Sequence, residues 1–119
     1  MKKILILNNH EDTMHLLKQF FKKHAYDAEY MYRAEGSDVI EKVKEYEPDL
    51  VILESSVGPE GELCQRIKNN SDTYIPVILM GGNISSKSQQ ENCGADDIIP
   101  KPFTPQLLLE KVKTLLKTG

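Results

Sequence analysis

The sequence predicts an α/β domain in which five short strands alternate with helices, forming a parallel sheet covered on both faces. Three observations point there. Continuous apolar runs at Ile4 to Leu7, Leu50 to Leu53 and Val77 to Met80 suit strands buried on both sides. Stretches with helical apolar spacing lie between them. Turn residues, among them Pro48-Asp49, Gly58-Pro59 and Gly81-Gly82, separate the segments.

The elements follow in order. Ile4 to Leu7 is the first strand. Asp12 is a candidate cap for a helix in which Met14, Leu17 and Phe21 share one face, flanked by Leu16 and Phe20. Ala28, Tyr30 and Tyr32 alternate with Glu29, Met31 and Arg33, a second strand. Ser37 is placed to cap a helix carrying Val39, Ile40 and Val43. Leu50 to Leu53 is the third strand, and a loop with Gly58, Pro59 and Gly61 leads to a short helix with Leu63, Cys64 and Ile67. Pro76 opens the fourth strand, which ends at Gly81-Gly82. Asp97 to Ile99 is a short fifth strand. After Lys101-Pro102-Phe103, Pro105 suits the first turn of a last helix with Leu108, Val112, Leu115 and Leu116 on its apolar face. Between the fourth and fifth strands, Ser85 to Asn92 holds no apolar residue. The fourth helix is therefore expected to be short or irregular, because a helix without an apolar stripe has nothing to dock with.

Length and composition limit the function. The 119 residues suit a single domain, 1–119, with one core. A net charge of −3 shows no basic surplus for nucleic acid. No apolar run reaches the length of a membrane span, and the apolar stretch after Lys2-Lys3 stops at Asn8, too soon for a signal peptide. A cytoplasmic location is expected. Cys64 and Cys93 form no CxxC pair and read as free thiols. His10, His15 and His24 are too dispersed for a metal site; His15 and His24 are expected on the surface of the first helix and His10 at the rim of the site. Ser55 and Ser56 have no histidine–acid arrangement beside them and read as loop hydroxyls.

In a parallel sheet of this kind, ligands and chemistry gather at the carboxyl ends of the strands. That directs attention to Asn8, Asn9 and His10, to Glu54 through Val57, to Gly81 through Asn83, and to Lys101.

Four segments in order carry a resemblance: Lys3-Ile-Leu-Ile-Leu7, Glu47-Pro-Asp-Leu-Val-Ile-Leu53, Ile75-Pro-Val-Ile-Leu79 and Gly94-Ala-Asp-Asp-Ile-Ile-Pro-Lys-Pro-Phe103. Along nearly its whole length the chain resembles response regulator receiver domains of two-component signalling. The resemblance implies a flavodoxin-like, doubly wound (βα)5 fold with strand order 2-1-3-4-5. It also implies a phospho-accepting aspartate after the third strand and two acidic residues after the first that bind Mg²⁺ with it. A Thr or Ser after the fourth strand and a Lys after the fifth would contact the phosphoryl group. An aromatic residue in the fifth strand would report the switch.

Here the acidic pair aligns with Asn8 and Asn9, the aspartate with Glu54, the hydroxyl with Gly81 and the aromatic with Ile98. Lys101 alone matches the family. The loop after Glu54 is also about two residues shorter than the family's usual length. Asn8 and Asn9 offer neutral amide oxygens to a hard cation, so no metal site and no cofactor is expected. Glu54 is one methylene longer than aspartate, which displaces its nucleophilic oxygen, and misplacement by about 1 Å costs on the order of a hundredfold. The carboxylate is expected either to pair with Lys101 as a structural contact or to mimic the phosphorylated state.

The resulting expectation is a non-catalytic pseudo-receiver that binds a signalling or output protein without phosphorylation. The resemblance suggests the face made by the fourth helix, the fifth strand and the helix from Pro105 to Lys117. No nucleic acid and no membrane is expected as a partner, and the domain is expected to be a monomer or weak dimer. One alternative is a phospho-accepting receiver with an unusual acceptor. Another is a small-ligand domain on the same fold, which lacks a glycine-rich phosphate loop because Asn8-Asn9-His10-Glu11-Asp12 stands after the first strand.

Overall fold

The computed structural model describes residues 2–8, 11–32, 36–54, 66–69, 74–81, 96–100 and 104–116. The chain runs β1 (Lys3–Asn8), α1 (Glu11–Lys23), β2 (Asp27–Tyr32), α2 (Gly36–Tyr46) and β3 (Leu50–Glu54). Next come a helix α3, described over 66–69, then β4 (Val77–Gly81), β5 (Asp97–Pro100) and the last helix (Pro105–Leu116). The strands form one parallel sheet in the order β2-β1-β3-β4-β5. This is the doubly wound, flavodoxin-like order, with β1 and β3 flanking the point where the winding reverses.

Alternation along the strands builds two cores. Ile4 and Ile6 of β1, Leu50 and Ile52 of β3, and Ile78 and Met80 of β4 pack with Met14, Leu17 and Phe21 of α1 and with Leu108, Leu109 and Val112 of the last helix. The intervening residues Leu5, Leu7, Val51, Leu53, Val77 and Leu79 pack with Val39, Ile40 and Val43 of α2 and with Ile67 of α3. Every residue of the central runs is therefore buried, on one face or the other. That explains why these strands read as unbroken apolar runs.

Two capping expectations are corrected. α1 begins at Glu11 and α2 at Gly36, so Asp12 and Ser37 stand inside the first turns rather than at the caps. In the last helix the buried face is Leu108, Leu109 and Val112, while Leu115 and Leu116 are half-buried at its margin. Leu16, expected to flank the apolar face of α1, is 66% exposed. Leu63, Cys64, Cys93 and the fourth-helix segment 85–92 lie outside the described residues.

Both early helices stop on a residue with positive φ that is not glycine, Ala25 at 70° and Glu47 at 53°. At the end of α1, Tyr26 N–H donates to Phe21 O at 3.0 Å and Ala25 N–H to Lys22 O at 3.1 Å. This is the Schellman arrangement, whose left-handed residue is most often glycine. Ala25→Gly removes the Cβ clash, worth about 1–2 kcal/mol. The greater freedom of glycine in the unfolded chain offsets about half of that. A net gain of about 0.5–1 kcal/mol is expected in urea unfolding.

Candidate functional site

The sheet register assembles the site. Leu7 of β1 lies opposite Leu53 of β3, so Asn8 and Glu54 are the next positions along neighbouring strands. Asn8 pairs with Tyr32 on its other side, and Glu54 pairs with Met80. Gly81 follows Met80 and lies opposite Pro100, the residue before Lys101. The backbone thus brings Asn8, Glu54 and Gly81 to one carboxyl edge of the sheet, where parallel α/β folds place their chemistry. Asn9, His10 and Lys101 lie outside the described residues, as do Ser55, Ser56, Gly82 and Asn83. The expected Glu54–Lys101 pairing lies outside them too.

Ile98 is half-buried opposite Leu79 and packs against the core on the α2 side. An aliphatic side chain there joins the apolar cluster and has no hydroxyl to hydrogen-bond. His15 is exposed on α1, as expected, while His24 is exposed one residue past the end of that helix. His15 lies 3.2 Å from Gln19, and His24 stands against the Phe20 ring with centroids 4.6 Å apart.

Among the described residues, a polar network lies at the opposite, amino end of the sheet. Asp96 Oδ2 accepts from Lys68 Nζ at 2.6 Å and from Val77 N–H at 2.8 Å. The Asp96 N–H in turn donates to Val77 O at 2.8 Å. Lys68 also donates to Ile75 O at 2.9 Å and stands 4.0 Å from the centre of the exposed Tyr74 ring. One carboxylate therefore joins α3, the start of β4 and the approach to β5. Its neighbour Asp97 accepts from Ile98 N–H at 2.8 Å and holds Lys111 of the last helix at 3.1 Å.

Asp96 and Asp97 belong to the Gly94-to-Phe103 motif, but the motif alone does not disclose these contacts. The paired carboxylates were visible, but their partners stand 28 and 14 residues away, beyond the reach of a local pattern.

A second polar group surrounds Tyr46. Asp49 Oδ2 accepts from Lys3 N–H at 2.8 Å, and Lys3 Nζ donates to Tyr46 O at 3.2 Å. Lys3 and Lys42 lie near the Tyr46 ring, and Lys42 pairs with Glu29 at 2.9 Å. The Tyr46 hydroxyl is buried with no hydrogen-bond partner among the described residues. Burial first, and then the Asp27 carboxylate standing close without hydrogen-bond geometry, push its pKa well above the ordinary range; Glu29 and Asp49 add to the effect.

Tyr46→Phe removes a desolvated, unsatisfied group, and a gain of about 1 kcal/mol in unfolding free energy is expected. The raised folded pKa also predicts a pH effect. The unfolded tyrosine ionises near pH 10 while the folded one stays neutral, so stability is intact below about pH 10 and falls above it. Unfolding curves of Tyr46→Phe should lose that part of the alkaline decline.

No helix among the described residues is long and apolar enough to cross a membrane. Among the described residues no cluster of His, Cys, Asp or Glu is arranged to hold a metal ion.

The family model for the response regulator receiver domain matches residues 4–113. Among solved structures, the chain is similar to a two-component response regulator from Clostridium difficile, at 29% identity and a TM-score of 0.86, covering 99% of this chain and 98% of that one. It shares the fold of the chemotaxis protein CheY4 of Vibrio cholerae, at 18% identity and a TM-score of 0.83, with 97% and 98% of the two chains covered. It also shares the fold of part of NtrX from Brucella abortus, at 21% identity and a TM-score of 0.83, covering 99% of this chain and 27% of that one. With the sheet order, the two-sided core and the match over 4–113 in agreement, the chain belongs to the response regulator receiver domain family, the signalling module of two-component systems.

Proposed function

We propose that this receiver acts without aspartyl phosphorylation, as a constitutive module that binds a signalling or output protein. The observation that carries the reading is the identity of the residues at the carboxyl edge. Glu54 stands where the family's acceptor aspartate is expected, with Asn8 and Asn9 in place of the acidic pair and Gly81 in place of the hydroxyl. A single carboxylate with two neutral amides is a poor donor set for Mg²⁺, compared with the three carboxylates of the family pattern. Phosphoryl transfer depends on positioning and on charge stabilisation, and this residue set is deficient in both.

Ile98 supports the same reading. It is half-buried against the apolar cluster and has no polar group with which to report a change at the site. The partner face we propose is the one the resemblance suggests, β5 and the last helix together with the fourth-helix segment, which lies outside the described residues. Leu107 is 43% exposed there, and the Asp97–Lys111 pair fixes the helix to the strand. The cytoplasmic setting expected from the sequence accompanies this reading.

The test is incubation with acetyl phosphate and Mg²⁺, read by intact mass. The expected result is no phosphoryl adduct. A stoichiometric adduct mapped to Glu54 or a neighbouring residue would make the domain a phospho-accepting receiver with unusual chemistry.

A further inference from the structure

The two edges of the sheet differ in a way that decides what can pair with them. In a parallel ladder the N–H and C=O of one residue turn to the same side, and successive residues alternate. Val51 N–H donates to Pro76 O, with Val51 opposite Val77, so Ile78 and Met80 face β3 while Val77 and Leu79 face β5. Asp97, opposite Ile78, therefore faces β4 together with Ile99, and Ile98 and Pro100 turn outward. Among the described residues that edge is closed to a partner needing an N–H donor. The Ile98 N–H is taken by Asp97 Oδ1, the other Asp97 oxygen is pinned by Lys111, and Pro100 has no N–H.

The edge at β2 carries no such device among the described residues. Asp27 N–H donates to Lys2 O, with Asp27 opposite Lys3, so Asp27, Glu29 and Met31 face β1. Ala28, Tyr30 and Tyr32 turn their backbone groups outward. Ala28 is only 1% exposed and Tyr30 is half-buried, so the stretch offered for pairing starts at Tyr30.

Beside it, Asp12, His15, Leu16 and Tyr30 line a recess between α1 and the strand. Leu16 is 66% exposed and points away from the core its helix packs against. On the other flank Glu29, whose side chain is 43% exposed, pairs with Lys42, and Asp27 adds a second carboxylate.

We propose that the outer edge of β2 receives an extended peptide segment of a partner protein, which pairs with the backbone of Tyr30 and Tyr32 and lays an apolar side chain against Leu16 and Tyr30. Strand addition draws affinity from unpaired backbone groups and specificity from alternate side chains. The segment that fits has apolar residues alternating with basic ones, the apolar set toward the recess and the basic set toward Glu29 and Asp27. It is free of proline where it pairs. The proposal rests on the protein-binding reading and gives it a second surface, separate from the closed β5 edge.

The test uses a blocked peptide of alternating valine and lysine, and the same peptide N-methylated at alternate amides. Amide hydrogen exchange of the whole domain is followed by NMR. The expected result is at least about tenfold slower exchange at Tyr30 and Tyr32 with the first peptide and no change with the methylated one, a difference equivalent to about 1.4 kcal/mol. Leu16→Lys, an exposed position whose fold is checked by circular dichroism, should weaken binding about tenfold. Leu107→Glu, on the last helix beside the opposite β5 edge, should leave it unchanged. Protection at β5, equal binding of the methylated peptide, or concentration-dependent protection of β2 without any peptide would overturn the proposal, the last by making a second copy the occupant. The phosphoryl-donor experiment is independent: an adduct there sinks the proposed mode of action without touching the β2 result, and loss of β2 pairing leaves that mode intact.

Discussion

Asp96→Ala is expected to lower the unfolding free energy by about 3 kcal/mol, the largest single-site polar effect among the described residues. The reason is that one oxygen serves two donors. Asp96 Oδ2 takes both the Lys68 ammonium and the Val77 N–H. Both side chains are mostly shielded, at 18% and 15% exposure, so water replaces the lost bonds only in part. Alanine would leave a half-buried ammonium and a strand N–H without their shared acceptor. Lys68→Met removes the charge and keeps most of the apolar stem, and the expected loss is about 1 kcal/mol.

A double-mutant cycle in urea separates the terms. If the pair is responsible, Asp96→Ala costs markedly less in the Lys68→Met background than in the native chain. Equal cost in both backgrounds would assign the effect to the Val77 N–H alone. The Asp97–Lys111 pair is more exposed, at 33% and 26%, and screening by solvent should hold its contribution to about 0.5 kcal/mol.

The second large effect concerns the carboxyl edge. The triple substitution Asn8→Asp, Asn9→Asp and Glu54→Asp is expected to take the domain from no phosphoryl adduct to a detectable, Mg²⁺-dependent one with acetyl phosphate. The substitutions bring the carboxylates at the site to three and shorten the acceptor by one methylene. A hard divalent cation then has charged oxygens to bind, and the acceptor oxygen moves back toward the position the family pattern uses. Gly81 still lacks a hydroxyl, so a rate well below that of a complete site is expected. Intact mass with and without the metal reads the result. If the native chain and the triple variant both remain unmodified, the three substituted positions are not the sole obstacle to chemistry. If both are modified, the proposed mode of action is wrong.

The fold was legible because its signals are local. Ile4 to Leu7, Leu50 to Leu53 and Val77 to Met80 are apolar at every position, and only a strand packed on both faces requires that. The helix faces were legible for the same reason, since Met14, Leu17 and Phe21 recur at helical spacing. The helix starts were less so: Asp12 and Ser37 have cap chemistry but fall inside the first turns. Cap identity is a weak marker when the chain can begin its first turn a residue earlier.

The candidate positions at the carboxyl edge could be named from the resemblance, and the register places the backbones of Asn8, Glu54 and Gly81 there.

What the sequence determined by itself is the order and type of the elements and the residues at the carboxyl ends of the strands. These depend on periodicity and on chemical identity, which are written along the chain. What only the tertiary structure decided is which distant groups meet. Lys68 reaches Asp96, Lys111 reaches Asp97, and the Tyr46 hydroxyl is left buried beside Asp27. The difference between a closed edge at β5 and an open one at β2 belongs here too. Such contacts depend on how strands and helices are placed in three dimensions, and no local pattern of residues encodes that placement.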